Sequence, residues 1–75
     1  MIVNKYLKTN KDSASQFEIG LSFSAELFDN YVEVYCESHL AKRFAVYVNK
    51  QYRTATTSYK KAVGMAVLIL QEYGN

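Results

Sequence analysis

Apolar residues occupy every second position in three stretches of this chain, and no other feature constrains its fold as strongly. The stretches span residues 17–24, 31–37 and 43–48. A period of two places the apolar side chains on one face of a strand and the polar side chains on the other. The residues predicted to point inward are Phe17, Ile19, Leu21, Phe23, Val32, Val34, Cys36, Phe44, Val46 and Val48.

The connections between these stretches predict further strands and turns. Residues 2–8 are predicted to form a short N-terminal strand with mixed faces, and residues 9–16 are the longest candidate loop. Residues 25–30 lose the alternation and turn at Asp29 and Asn30, which favour turns. Residues 38–42 connect the second alternating stretch to the third.

Asn49 and Lys50 predict a tight hairpin that leads into a last strand, because asparagine tolerates the positive φ angle such turns require. A two-residue turn would pair Val48 with Gln51, Val46 with Arg53 and Phe44 with Ala55, and would send Thr54 and Thr56 outward. A three-residue loop would send Tyr52, Thr54 and Thr56 inward. The two-residue turn is preferred because it avoids burying three hydroxyl groups.

The C-terminal stretch changes to a helical period. Ser58 is the predicted N-cap and Gly74 the predicted stop. At about 100° per residue, one arc of the helix carries Tyr59, Ala62, Val63, Ala66, Ile69, Leu70 and Tyr73. The prediction is an α+β fold, in which an antiparallel sheet of four to five strands carries one C-terminal helix on a single face.

Composition limits the class of protein. Seventy-five residues form one small domain (1–75), and a hydrophobic content of 49% is enough for one core. The single cysteine, Cys36, excludes an intramolecular disulfide framework. The N-terminus has no apolar core of a signal peptide, and the longest apolar run is too short to cross a bilayer. We therefore expect a cytoplasmic protein with no membrane partner.

If the helix covers the apolar face of the sheet, the opposite face remains open and rich in tyrosine. Tyrosine buries a large area at a small cost in side-chain entropy, and such surfaces often bind proteins. Alternatively, tyrosine is present only because it is a good strand residue that forms stabilising cross-strand pairs. We call the candidate partner-binding set the tyrosine face: Tyr31, Glu33, Tyr35, Arg43, Tyr47 and Tyr52.

The outer side of the predicted helix carries a second candidate surface. Met65 and Leu68 point toward solvent there, beside Gly64, although Lys60 and Lys61 mark this side as polar. Such a patch would suit self-association into a homodimer. Alternatively, the N-terminal strand or the 25–30 segment covers it.

Groups that could carry out catalysis are few. His39 lies in a predicted loop, Cys36 is predicted to face the core, and Glu33 and Glu37 are predicted to form surface ion pairs. Carboxylates do not cluster at metal-ligand spacing, and no glycine-rich phosphate loop is present. The sequence therefore predicts a protein that is not an enzyme, with no cofactor and no metal.

Residues 31–73 resemble the later part of a double-stranded RNA-binding domain, which runs three antiparallel strands into a helix that opens with Ser-Lys-Lys-x-Ala. Ser58, Lys60 and Ala62 match this motif, whereas Tyr59 stands in place of its first lysine. Residues 39–44 are similar to the histidine loop of that family. The resemblance implies a nucleic-acid interface as the alternative function. Its candidate residues are Lys42, Arg43, Lys60 and Lys61.

The chain as a whole resembles, in style and without a shared motif, the small inhibitors that bacteriophages encode, anti-CRISPR proteins among them. That resemblance implies a protein that blocks a host defence nuclease complex by occupying a functional surface. The leading hypothesis is therefore a non-enzymatic binding protein in the host cytoplasm. Its partner would be a host protein or nucleoprotein complex, contacted by the tyrosine face.

Overall fold

Antiparallel strands arranged in chain order, followed by one helix, make up the fold, and the predicted α+β class is confirmed. The computed structural model describes residues 2–3 and 10–73. The rest of the predicted 2–8 strand and the predicted stop at Gly74 lie outside these residues. The elements are β1 (Ile2–Val3), β2 (Gly20–Leu27), β3 (Asn30–Ser38), β4 (Arg43–Val48), β5 (Gln51–Thr56) and α1 (Tyr59–Tyr73). A single 3-10 turn, Ala14–Gln16, lies in the predicted 9–16 loop.

Two-residue turns make neighbouring strands pair. Phe28 and Asp29 join β2 to β3, and Asn49 and Lys50 join β4 to β5, all with positive φ between 49° and 69°. This left-handed conformation matches the twist of a tight hairpin. The turn at Asn49 and Lys50 is therefore confirmed. The first turn comes one residue earlier than predicted, because β3 already begins at Asn30. Residues 25–27, which were not predicted as strand, belong to β2.

The two hairpin turns are also joined to each other. The backbone N–H of Asn49 donates to the carbonyl oxygen of Tyr31 at 2.7 Å, and the side-chain oxygen of Asn49 accepts from the backbone N–H of Tyr31 at 2.9 Å. The Asn49 amide also donates to Asn30 at 3.2 Å. These bonds fix the end of the sheet that carries both turns.

The prediction of a strand over residues 17–24 is wrong about where the strand begins and about the face on which some of its side chains lie. The strand begins at Gly20, and its pairing with β3 shifts by one residue between Leu21 and Phe23. A bulge of one residue reverses the side on which the preceding side chains lie. Phe23 is therefore fully buried under α1, whereas Leu21 and Ile19 are 39% and 58% exposed.

A second bulge makes the register of β5 differ from the predicted one. Val48 faces Gln51 and Tyr47 faces Tyr52, as a two-residue turn predicts. The register then shifts, so that the predicted pairing of Val46 with Arg53 and of Phe44 with Ala55 is wrong. The observed pairs are Val46 with Thr54, Phe44 with Thr56 and Ala45 with Ala55. Thr54 and Thr56 thus lie on the helix side.

The core lies between α1 and the inner face of the sheet. The ring of Tyr59 lies 4.5 Å from that of Phe17 and 5.7 Å from that of Phe44. Cys36 is buried there, as predicted. The helix buries Tyr59, Ala62, Val63, Ala66 and Leu70, whereas the predicted inward residues Ile69 and Tyr73 are only half-buried and exposed, respectively.

A distant carboxylate completes the start of α1. Ser58 acts as the predicted N-cap, since its hydroxyl oxygen accepts from the N–H of Lys61 at 3.2 Å. Asp12 accepts from the N–H of Lys60 at 2.8 Å and from the Ser58 hydroxyl at 2.7 Å. The acidic charge that a helix N-terminus favours thus comes from the loop before β2.

These hydrogen bonds lower the pKa of Asp12 below its ordinary value of 3.8. The largest cause is the bond from the Lys60 N–H, followed by the bond from Ser58, with further help from the charges of Lys60 and Lys61. A carboxyl whose pKa is lowered by folding adds stability above its unfolded pKa. That stability is lost as the pH falls through the folded pKa.

We expect Phe23→Ala to lower the free energy of unfolding by about 3–5 kcal/mol, because it leaves a cavity in the core. Leu21→Ala should lower it by less than about 1 kcal/mol, because that side chain lies beyond the bulge on the exposed face. Urea unfolding of both variants checks this. Equal losses would contradict the bulge, since strict alternation makes the two positions equivalent.

We expect Asp12→Ala to destabilise the fold by about 1 kcal/mol at neutral pH, as loss of a helix cap does. Asp12→Asn keeps an acceptor for the Lys60 N–H but loses the charge. The difference in free energy of unfolding between wild type and Asp12→Asn should reach its maximum above pH 3.8. It should then decrease to zero as the pH falls through the lowered pKa of Asp12 in the folded protein. Urea unfolding over a pH series measures it, and a pH-independent difference would contradict the role of the charge.

Candidate functional site

All six residues of the tyrosine face lie on the side of the sheet away from α1, which we call the open face. They are not equally accessible. Tyr52 is 51% exposed, Tyr35 and Tyr47 are half-buried, and Glu33 is only 4% exposed. A carboxylate this deeply buried needs partners for its charge, because burying an unpaired charge is costly.

Glu33 has two such partners. The Tyr35 hydroxyl donates to one carboxylate oxygen at 2.7 Å, and the Lys50 ammonium lies 3.3 Å from the other. Lys50 also lies 5.1 Å from the centre of the Tyr31 ring, within the range of a cation–π contact. Glu33 thus forms an ion pair, as predicted, but the predicted surface position is wrong, because the carboxylate is buried.

Glu37 forms a second polar group farther along β3. Arg43 donates from Nε to one oxygen of Glu37 at 2.8 Å, and the Tyr47 hydroxyl donates to the other at 3.3 Å. A further N–H of Arg43 donates to the Tyr52 hydroxyl at 3.1 Å. The three side chains are held in one arrangement around the carboxylate.

Ring contacts connect the two polar groups. Tyr35 and Tyr47 meet edge to face with ring centres 5.4 Å apart, and Tyr47 meets Tyr52 in the same way at 5.9 Å. Ala45 is fully buried although it faces away from the helix. The rings therefore exclude water from the centre of the open face and form a surface whose side chains are fixed in advance.

The carboxylates keep the phenols protonated. The hydrogen bond to Glu33, followed by burial, raises the pKa of Tyr35 to about 12. The charge of Glu37, followed by burial, raises the pKa of Tyr47 above its ordinary value. The shifts extend into the alkaline range the pH interval in which both hydroxyls stay protonated and act as hydrogen-bond donors.

A depression of about 470 Å³ lies on the open face and includes residues that the sequence prediction missed. The alternating pattern predicts Ile19 in the core, and the sequence predicts Lys50 only as part of a turn. Gly20 within an alternating stretch is a recognised signal of a bulge, but it does not say which residues change sides. The depression is lined by Ile19, Gly20, Glu33, Tyr35, Cys36, Glu37, Tyr47 and Lys50.

The candidate nucleic-acid residues are only partly brought together. Lys60 and Lys61 lie in the first turn of α1, and Lys42 lies in the turn before β4, at the same end of the sheet. Arg43 lies on the open face, bound to Glu37. The carboxylate of Asp12 sits among the basic groups at the helix start.

The candidate self-association residues do not all lie on the same surface. Gly64 is exposed, with open space where a Cβ would lie, and Leu68 is 58% exposed. Both line a depression of about 480 Å³ along α1, whereas Met65 is half-buried and outside it. Self-association through this surface stays a prediction.

Cys36 and His39, the candidate nucleophile and base, have different hydrogen-bond partners. The thiol of Cys36 lies 3.6 Å from the carbonyl oxygen of Ala14 in the core, and burial raises the pKa of this thiol. The His39 ring instead contacts the carbonyl oxygen of Phe17. Among residues 2–3 and 10–73, no group of three or more potential ligands could hold a metal ion. The part of the chain that the structure describes contains no helix long and apolar enough to span a membrane.

Comparison with protein-family models, curated proteins and solved structures finds no match to this chain.

We expect Tyr35 to ionise with a pKa of about 12, and Glu33→Gln to move that pKa back toward its ordinary value of 10.0. The substitution removes the negative charge and the strong acceptor that favour the protonated phenol. Near-ultraviolet absorbance titration of wild type, Tyr35→Phe and Glu33→Gln measures the shift. An unchanged Tyr35 titration in Glu33→Gln would contradict the hydrogen bond.

Proposed function

We propose that this chain is a non-enzymatic binding protein that contacts a protein or nucleoprotein partner through the tyrosine face. The observation that carries the proposal is the set of edge-to-face tyrosines held by Glu33 and Glu37. A surface that is already ordered loses little side-chain entropy when it binds. Burial of tyrosine rings at its centre then contributes directly to affinity.

The exposed apolar residues at one edge support the same surface. Ile19 and Leu21 are brought to the open face by the bulge in β2 and remain exposed. Apolar side chains beside ordered aromatic rings, surrounded by charged groups, are typical of the centre and rim of a protein interface. The open face thus has the apolar centre and the charged rim of a protein interface on one rigid sheet.

We further propose that the chain is a phage-type inhibitor that acts in the host cytoplasm. A single rigid binding face suits a protein that acts by occupying a surface of its target, here a defence nuclease complex. This extension is supported by the resemblance in size and style to such inhibitors. The alternative, nucleic-acid binding, is supported by the presence of Lys42, Lys60 and Lys61 at one end of the molecule.

We expect Tyr35→Ala and Tyr47→Ala each to weaken partner binding by about 2 kcal/mol, or about 30-fold. The partner is identified by affinity purification from the native host with mass spectrometry, and binding is then measured by calorimetry with purified partner. Gln71→Ala, on the exposed side of α1, is the matched control and should bind normally.

Unchanged affinity in both tyrosine variants would contradict the proposal, provided that their amide spectra show the native fold. Filter binding to duplex RNA and DNA at two salt concentrations tests the alternative. Salt-sensitive binding that is lost in the double variant Lys60→Glu/Lys61→Glu would favour the nucleic-acid interface instead.

A further inference from the structure

The depression on the open face has the chemistry of a receptor for one particular side chain. On the basis of the proposed function, we propose that this depression accepts an arginine side chain of the protein partner. Glu33 provides the charge at its floor, and Tyr35, Tyr47 and Ile19 provide its walls.

The carboxylate of Glu33 has capacity for more hydrogen bonds than it makes. An ionised carboxylate offers about four acceptor positions. The Tyr35 hydroxyl and the Lys50 ammonium use one position on each oxygen. A guanidinium group could therefore donate to both oxygens of Glu33 without displacing the Tyr35 hydroxyl.

The walls of the depression suit the remainder of an arginine side chain. The rings of Tyr35 and Tyr47 are fixed edge to face, 5.4 Å apart, beside the carboxylate. A planar guanidinium stacks on such rings, and it is less strongly hydrated than an ammonium group. Ile19 is 58% exposed at the rim and can cover the aliphatic part of the incoming side chain.

Lys50 occupies the cation position in the free protein. Its side chain is 74% exposed, although that of its partner Glu33 is only 6% exposed. Its ammonium makes one contact with Glu33, at 3.3 Å. Because the ammonium stays in water, it can be exchanged for another cation, whereas the buried carboxylate needs a cation beside it. When an arginine enters, Lys50 can leave Glu33 and keep its contact with the Tyr31 ring. The arginine then takes its place, so that Glu33 is never left unpaired.

Glu33, and not Glu37, is the anchor of this site. Glu37 already accepts from Arg43 Nε at 2.8 Å, and its side chain is 34% exposed. Water therefore competes for Glu37 and weakens any further ion pair there. A buried carboxylate with an exchangeable partner discriminates more strongly in favour of a cation that fits.

The test titrates the full-length protein with Nα-acetyl-arginine amide, followed by the NMR signals of the Tyr35 and Tyr47 rings. The matched probe is the citrulline analogue, which has the same shape but no charge. We expect saturable shifts with arginine, with a dissociation constant of about 1–10 mM, and none with citrulline. Absence of saturation, or equal shifts with both probes, would overturn the inference.

Two variants locate the arginine within the depression. Glu33→Gln should abolish saturable binding while its acceptor oxygen remains for the Tyr35 hydroxyl. Lys50→Met should bind the arginine probe at least about threefold more tightly, because it removes the competing cation and leaves the buried carboxylate without its ion-pair partner. Lys60→Met, which removes a lysine on α1, should leave binding unchanged. Unchanged or weaker binding in Lys50→Met would contradict the exchange.

The outcomes separate this inference from the proposed function. If the arginine probe fails to bind but partner binding still depends on Tyr35 and Tyr47, only the inference is wrong. If the probe binds but the partner is insensitive to both tyrosine substitutions, the proposed function is wrong and the depression serves another ligand.

Discussion

The packing of one helix on one face of a single sheet is the constraint on which the rest of this structure depends. The helix α1 seals Phe23, Val34, Phe44 and Val46 from water, and their burial supplies most of the driving force for folding. A single helix cannot cover both faces of the sheet. The open face must therefore be stabilised by its own side chains, and the edge-to-face tyrosines provide the necessary cross-strand contacts.

This requirement also makes the open face suitable for binding. Rings and carboxylates that hold one another in place stabilise the sheet, and the same contacts order the surface before a partner arrives. Glu33 shows the two roles together, because its burial is tolerable only with the hydroxyl of Tyr35 and the ammonium of Lys50 beside it. Stability of the free protein and recognition of a partner thus use the same groups.

The start of α1 shows how a local conflict in the sequence is resolved at a distance. Lys60 and Lys61 oppose the helix dipole, and a structural helix would favour acidic residues there. Asp12 supplies that acid through hydrogen bonds to Lys60 and Ser58. It lies 48 positions before Lys60 in the chain. The lysines are therefore compatible with a stable helix without any phosphate ligand.

The sequence by itself determined the element types, because strand and helix periods are local properties of the chain. Alternation at residues 31–37 and 43–48, the turn at Asn49 and the cap at Ser58 predicted the sheet, the hairpin and the helix start correctly. The same alternation and turn placed the six residues of the tyrosine face on one side of the sheet, but only the tertiary structure decided which other side chains join them or leave them. Single-residue bulges in β2 and β5 moved Ile19 and Leu21 outward and Thr54 and Thr56 inward. Because a bulge is set by pairing with a neighbouring strand, no pattern within one strand can locate it.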